Sequence, residues 1–398
     1  MKNILIISGE SSGELYGSLL AKAIMKKTKD IKISGMGGVR MRQSGVDIIT
    51  PICSAFGLTE LFKSISHIKQ AFKKIKTYLH NTRPDVVILI DYPDFNIRVA
   101  KEAKRLRIPV LYYVSPQVWA WRKKRIYTIK RLADKIALIL PFEVDIYKSI
   151  DMPCQFVGHP VLDDIDEFLR QQGFSLKNWD KNSLKVHIKK QLNIQSRYVI
   201  ALLPGSRRHE IKGLIYPIVD TAVEILKRHK DVSFVLPIAP NLDEQTIKII
   251  DDALSPIHKH TKVIRDNTLF ALSCADIGII ASGTATFQAT ILDVPMVVIY
   301  RVSMLSYAIG RLLIKVNYMT LTNLLLEKTI MDGNLPRIKE LLQGDVNPEN
   351  ILREVDALLS NSAYYDAMLD TFGKVRDLYL QHNASETVCS MALDMIYR

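Results

Sequence analysis

Four loops and one aromatic block of this chain hold residues able to bind an anion or move a proton. The first loop, Ser8-Gly9-Glu10-Ser11-Ser12-Gly13-Glu14, follows an apolar run and opens a helical pattern. Its small residues let backbone N–H groups approach a ligand, and a helix start favours negative charge. A tight strand-to-helix turn would use the same residues, and neither GxGxxG spacing nor a GK[ST] ending is present. In Pro204-Gly205-Ser206-Arg207-Arg208-His209-Glu210 a glycine turn delivers Arg207 to a second helix start. A guanidinium there can fork onto a diphosphate and, being permanently cationic, stabilise its departure without a metal. Two solvated arginines would be the plainer reading.

Ser282-Gly283-Thr284-Ala285-Thr286-Phe287-Gln288 repeats the theme, with Gln288 one turn further in, where an amide can bond ribose hydroxyls. An ordinary helix cap accounts for Ser282 or Thr284 equally well. Asp91 closes the apolar run 86–90 and is followed by Tyr92-Pro93-Asp94-Phe95-Asn96. Its carboxylate therefore emerges at a sheet edge, placed to take a proton from a hydroxyl, unless it only caps a turn or a helix. The block from Tyr112 to Arg122 contains Ser115, Trp119, Trp121 and Arg122 and runs on into Lys123, Lys124 and Arg125. Two of the chain's three tryptophans lie there, which suits a wall against a sugar or acyl group, stacking on single-stranded nucleic acid, or plain core packing. HExxH and CxxC are both absent, and no metal is expected.

These loops need strands that end where the loops begin. Short apolar runs alternating with helical stretches place strands at 3–7, 31–34, 85–90, 110–114 and 135–140, then at 198–203, 232–237, 262–264, 277–281 and 296–300. That alternation is the pattern of an α/β doubly wound parallel sheet, whose ligands lie at the carboxyl ends of the strands. The polar segment 163–196 reads as a linker between two such series, its acidic run Asp163-Asp164-Ile165-Asp166 as solvated charge, and the residues after Pro348 as wholly helical. At 398 residues with 48% of them hydrophobic, two domains can each bury a core.

A net charge of +13 favours an anionic partner: nucleic acid, an acidic membrane surface or a phosphorylated substrate. The first residues hold too short an apolar core for a secretory signal, so a cytoplasmic protein is expected. Cys53, Cys154, Cys274 and Cys389 are scattered and read as buried thiols. Leu61, Phe62, Ile65, Ile68, Phe72, Ile75 and Leu79 recur at helical spacing among Lys63, Lys69, Lys73, Lys74 and Lys76. Such a helix suits an anionic membrane surface or, equally, core packing with a solvated lysine face. The stretch 302–318 is a second membrane candidate, although its apolar run is broken by Arg311 and is too short to span a bilayer.

Taken in order, the loops above together with Gly35-Met36-Gly37-Gly38, Ile139-Leu140-Pro141-Phe142-Glu143, Val157-Gly158-His159-Pro160 and Pro295-Met296-Val297-Val298 resemble lipid-A-disaccharide synthase. That is a family of bacterial inverting glycosyltransferases with two Rossmann-like domains, the GT-B architecture. The resemblance implies an acceptor-side domain over 1–170 completed by C-terminal helices 375–398, and a UDP-sugar domain over 185–370. It implies transfer of 2,3-diacylglucosamine from UDP to 2,3-diacylglucosamine 1-phosphate by a protein peripheral on the inner face of the inner membrane. No cofactor and no nucleic-acid partner are implied, and a homo-oligomer is left open.

By the same resemblance Asp91 matches a general base, Arg207 an arginine on the UDP phosphates, and Asn323 and Gln343 polar residues near the donor. Gly205, Ser206, Ser282, Gly283, Thr284 and Gln288 would complete the nucleotide site. Ser8, Gly9, Glu10, Ser12, Gly13, Ser115, Trp119, Trp121 and Arg122 would line the acceptor or sugar cleft. The chain departs from the family at Gln288, which stands for a ribose-binding glutamate, at Glu14 for aspartate, at Thr322 for proline, and in an insertion over 331–337. The competing readings are another UDP-sugar enzyme of this architecture, an epimerase or a peptidoglycan glycosyltransferase, and a nucleic-acid-binding protein.

Overall fold

The computed structural model describes the chain apart from residues 53–57, 121–122, 240–241, 303–306, 308–315 and 398, and of 58–65 it describes the backbone alone. The chain divides into two compact units, Met1–Asp164 with Gln381–Arg398, and Ile165–Leu380. Strands of the first unit are β1 (Lys2–Ser8), β2 (Ile31–Gly37), β3 (Asp47–Pro51), β4 (Val86–Ile90), β5 (Val110–Tyr113), β6 (Lys135–Leu138) and β7 (Cys154–Phe156). They form one sheet in the order β3-β2-β1-β4-β5-β6-β7, every pair parallel. Helices α1 (Ser11–Lys27), α2 (Val39–Gln43), α3 (Leu58–Thr82), α4 (Pro93–Arg105), α5 (Arg125–Leu132) and α6 (Glu143–Lys148) alternate with them.

The second unit repeats the plan with β8 (Tyr198–Leu203), β9 (Val232–Ile238), β10 (Thr261–Arg265), β11 (Ile277–Ala281), β12 (Met296–Tyr300) and β13 (Lys339–Leu342), ordered β10-β9-β8-β11-β12-β13 and again parallel. Helix α7 (Pro160–Gln171) crosses from the first unit into the second, and α8 (Lys181–Leu192), α9 (Arg208–Arg228), α10 (Glu244–Leu254), α11 (Thr268–Cys274), α12 (Thr284–Ile291) and α13 (Leu321–Leu325) run before and between the strands. The chain closes with α14 (Pro348–Ser360), α15 (Ser362–Asp377) and α16 (Ala384–Tyr397). Each sheet is therefore doubly wound, and its order reverses at one switch point: between β1 and β4 in the first unit, and between β8 and β11 in the second.

Near-continuous Ile, Leu and Val in β1, β4, β8 and β11 follow from burial on both faces of a covered parallel sheet. An aspartate placed just before a strand recurs in both units. Asp85 accepts from Asn3 N at 2.8 Å, Asp134 from Val110 N at 2.9 Å, Asp231 from Arg197 N at 2.9 Å and Asp276 from Val199 N at 2.8 Å. Each carboxylate satisfies an N–H that the ladder leaves open at the start of the neighbouring strand.

Three strands have no counterpart in the sequence reading: β3, β7 and β13. All are sheet edges, paired on one side only and therefore short of the apolar residues that mark a central strand. The presumed polar linker is two helices. In α7 the buried Val161, Leu162, Ile165, Phe168 and Leu169 form an apolar stripe that the neighbouring charges obscure, and α8 buries Leu184 and Ile188. Asp163 is not solvated charge: it accepts from Ser385 N at 2.7 Å and Ser385 Oγ at 2.6 Å, tying α7 to α16 within the first unit. From Ile68 onward the apolar side of α3 faces the core through Ala71, Ile75 and Leu79, with Lys69, Lys73, Lys74 and Lys76 exposed. The side chains of Leu61, Phe62, Lys63 and Ile65 lie outside the described residues, as does most of 302–318. Of the cysteines, Cys274 and Cys389 are buried and Cys154 half-buried, while Cys53 falls outside the described residues.

Candidate functional site

Both switch points present loops at the carboxyl ends of their strands. In the first unit these are the turn after β1 and the turn after β4. Asp91 leaves β4 at φ 46°, Tyr92 follows at 44°, and on the adjacent strand end Val114 lies at 63°. Left-handed backbone in bulky or β-branched residues is strained, and strain of this kind gathers at functional sites. Neighbouring donors hold the Asp91 carbonyl, since Asn96 Nδ2 donates to it at 2.7 Å and Tyr112 Oη at 3.1 Å. Burial pushes the Asp91 carboxyl up to about 6, with the Glu10 carboxylate adding to the effect. A carboxylate poised just below neutral pH, at the end of a central strand, suits a general base.

The turn after β1 fits round this residue. A Cβ on Gly9 would fall 2.2 Å from the Tyr92 ring, and one on Gly13 would come within 3.3 Å of the Ser8 Cβ, so close packing requires small residues at both positions. Ser8 is fully buried and its hydroxyl donates back to Met36 O at 3.1 Å, which makes it part of the sheet. Glu10 is exposed and Ser12 half-buried at the start of α1, while Glu14 turns away to accept from Arg40 N at 2.8 Å. The Ser115 hydroxyl is engaged by Tyr147 Oη and by Pro116 O. Trp119 is half-buried, with its indole donating to Glu143 Oε1 at 3.0 Å. Trp121 and Arg122 lie outside the described residues.

In the second unit Gly205, at φ 111°, turns the chain from β8 into α9, and Ser206 and Arg207 stand exposed at the helix start. Their backbone amides are not idle: Ser206 N and Arg207 N both donate to Glu210 Oε2, at 3.0 and 3.2 Å. Arg207 Nη1 lies 3.5 Å from the same carboxylate's Oε1. A carboxylate thus sits among two amides and a guanidinium, a donor set suited to an anion. Across the switch point Gly283 caps α12 with no side-chain capping bond, so Ser282 and Thr284 do not act as helix caps. Gln288 is buried one turn into that helix.

Asn323 lies in α13, where the neighbouring Thr322 hydroxyl meets Thr290 of α12 at 2.7 Å, and Gln343 follows β13 at the carboxyl edge of the same sheet. Asn323 is fully buried, donates through Nδ2 to Ile338 O and Glu340 Oε1, both at 2.9 Å, and accepts Ile338 N at 2.9 Å. Gln343, at φ 51°, clasps the backbone of Val302 just beyond β12, accepting its N–H at 2.8 Å and donating to its carbonyl at 2.9 Å. Sequence reasoning missed Glu143, Tyr112, Asn96 and Glu210 as site-shaping groups. Each stands within or beside a quoted motif, yet only burial and hydrogen bonding reveal its task. Among the described residues no cluster of three or more His, Cys, Asp or Glu is placed to hold a metal, and no helix is long and apolar enough to cross a membrane.

Two doubly wound sheets with ligand-suited loops at each switch point define the fold class of two-Rossmann nucleotide-sugar enzymes. Solved structures share it: a UDP-GlcNAc 2-epimerase from Neisseria meningitidis bound to UDP-GlcNAc is 16% identical, with TM-score 0.66 and 99% of this chain and 100% of that chain covered. MurG of Acinetobacter baumannii is 14% identical, with TM-score 0.57 over 99% of this chain and 100% of that one. At such identities the likeness establishes the fold alone. The family model described as lipid-A-disaccharide synthetase matches residues 4–391. The lipid-A-disaccharide synthase of Syntrophus aciditrophicus is 38% identical over 99% of this chain and 98% of its own length, and that of Coxiella burnetii 36% over 100% and 99%. The chain belongs to the lipid-A-disaccharide synthase family and is a glycosyltransferase acting in lipid A biosynthesis.

Proposed function

We propose that the chain transfers 2,3-diacylglucosamine from UDP to 2,3-diacylglucosamine 1-phosphate, forming the lipid A disaccharide 1-phosphate and releasing UDP. The observation that carries this reading is the division of labour between switch points: a half-buried carboxylate raised to about 6 in one unit, an anion-suited set of amides and a guanidinium in the other. Asp91 takes the proton of the acceptor hydroxyl as that oxygen attacks the anomeric carbon, and the bond to the UDP oxygen breaks on the opposite face. Arg207 and the α9 amides take the charge that builds on the diphosphate, with the Glu210 carboxylate leaving those donors as it binds. Ser282, Thr284 and Gln288 hold the nucleoside end, and Asn323 and Gln343 act by fixing the strand ends beneath it.

The acceptor's acyl chains bring the protein to the inner face of the inner membrane, where the exposed lysines of α3 meet anionic headgroups. Incubation with UDP-2,3-diacylglucosamine and 2,3-diacylglucosamine 1-phosphate, followed by mass spectrometry, tests the proposal. A disaccharide 1-phosphate formed only when both are present is expected; consumption of the UDP-sugar without acceptor would point to an epimerase instead.

A further inference from the structure

A second carboxyl shares the Asp91 edge, and the mechanism above leaves it unused. Glu143 opens α6 beyond the carboxyl end of β6, two strands from β4 in the same sheet. It is 1% exposed. Oε1 accepts the indole N–H of Trp119, whose ring meets Phe142 edge-on with centroids 5.0 Å apart. Oε2 is buried with no hydrogen-bond partner among the described residues. An ionised carboxylate in that position is costly, whereas a neutral acid can still accept from the indole. Burial pushes the Glu143 carboxyl up to about 8, and the Asp91 carboxylate acts in the same direction. Among the described residues, the titratable groups that act on it are Asp91 and, one turn along α6, Tyr147. Packing alone would be met by leucine; a fixed indole requires an acceptor.

We propose that Glu143 is a positioning residue of the acceptor site. It holds the Trp119 indole as a wall for the acyl or sugar part of the acceptor, and does so as a neutral acid, so that its own carboxyl adds no negative charge beside Asp91 or the acceptor phosphate. This rests on the glycosyltransferase reading above. In a chain carrying Trp121→Phe and Trp179→Phe, Trp119 emission should titrate with a midpoint of about 8. Glu143→Gln should abolish that titration and keep the emission maximum, because its carbonyl still accepts the indole. With all tryptophans present, Glu143→Gln should keep the acceptor KM within about threefold, and Glu143→Leu should raise it about tenfold, while UDP affinity stays unchanged in both. An acceptor KM unmoved in Glu143→Leu, or Trp119 emission indifferent to Glu143, overturns the proposal. Should circular dichroism show the leucine variant unfolded, the glutamine emission decides alone. Absence of transfer by the unmodified chain would sink the glycosyltransferase reading while leaving the emission result to be read separately.

Discussion

At the β1/β4 switch point the Asp91 carboxyl is half-buried and the backbone around it strained; at the β8/β11 switch point Arg207 is exposed and the amides of Ser206 and Arg207 turn to the Glu210 carboxylate. The sheets have the same order of strands around these points, so topology supplies only the place. What differs is the dielectric setting. Desolvation lifts the Asp91 carboxyl towards neutral pH, as the proposed base role requires. A diphosphate seat must be open to a charged ligand and gains from donors that stay charged, which an exposed arginine at a helix start provides. On the proposed reading, one fold duplicated along a chain hosts proton transfer in one copy and anion binding in the other, by changing how deeply the loop side chains sit.

Asp91→Asn should break the first half of that comparison most severely, lowering turnover by about 10²- to 10⁴-fold, measured as disaccharide formed per enzyme. In the unmodified protein kcat/KM should fall as pH drops through about 6, because only the ionised carboxylate can accept a proton. Stability moves the other way. Folding lifts this group from 3.8 to about 6, so the folded state binds more protons between those values and loses stability as pH rises through that window. Asp91→Asn removes this cost, and its Tm at neutral pH should lie a few degrees above the parent's; a lower Tm would contradict the desolvated carboxylate.

Arg207→Ala addresses the second half: calorimetry should show UDP bound roughly 10- to 100-fold more weakly with the fold intact, and unchanged affinity would remove the phosphate role. Asn323→Ala should cost about 1–3 kcal/mol of stability in denaturant titration, because it strands buried partners on Ile338 and Glu340. Smallest of all, Glu210→Gln should tighten UDP binding by about threefold, since the carboxylate occupying the α9 amides no longer competes as an anion. Weaker binding in that variant would mean that Glu210 is needed to shape the loop rather than to vacate it.

Much of this was legible from residue types. Ten strand positions follow from apolar runs, and the glycine turn before Arg207 announces a helix start. Edge strands β3, β7 and β13 escape because one-sided pairing relaxes the demand for apolar residues. The helix α7 escapes because its apolar stripe is read through a run of aspartates, one of which turns inward to Ser385. Asn323 bonds Ile338 and Glu340, and Gln343 bonds the backbone of Val302, partners that their sequence context does not disclose. No pattern along the chain can tell whether an amide faces a ligand or a neighbouring strand.

By itself the sequence determined the alternation of strand and helix, the loops that end the central strands and the family to which the chain belongs, because periodicity and local turn chemistry are properties of neighbours along the chain. Only tertiary structure decided that Asp91 is desolvated, that Glu143 is buried against Trp119, and that Glu210 accepts from the amides of Ser206 and Arg207. Burial and dielectric environment arise from segments far apart in sequence, and these set the protonation state of a carboxyl and the availability of a donor.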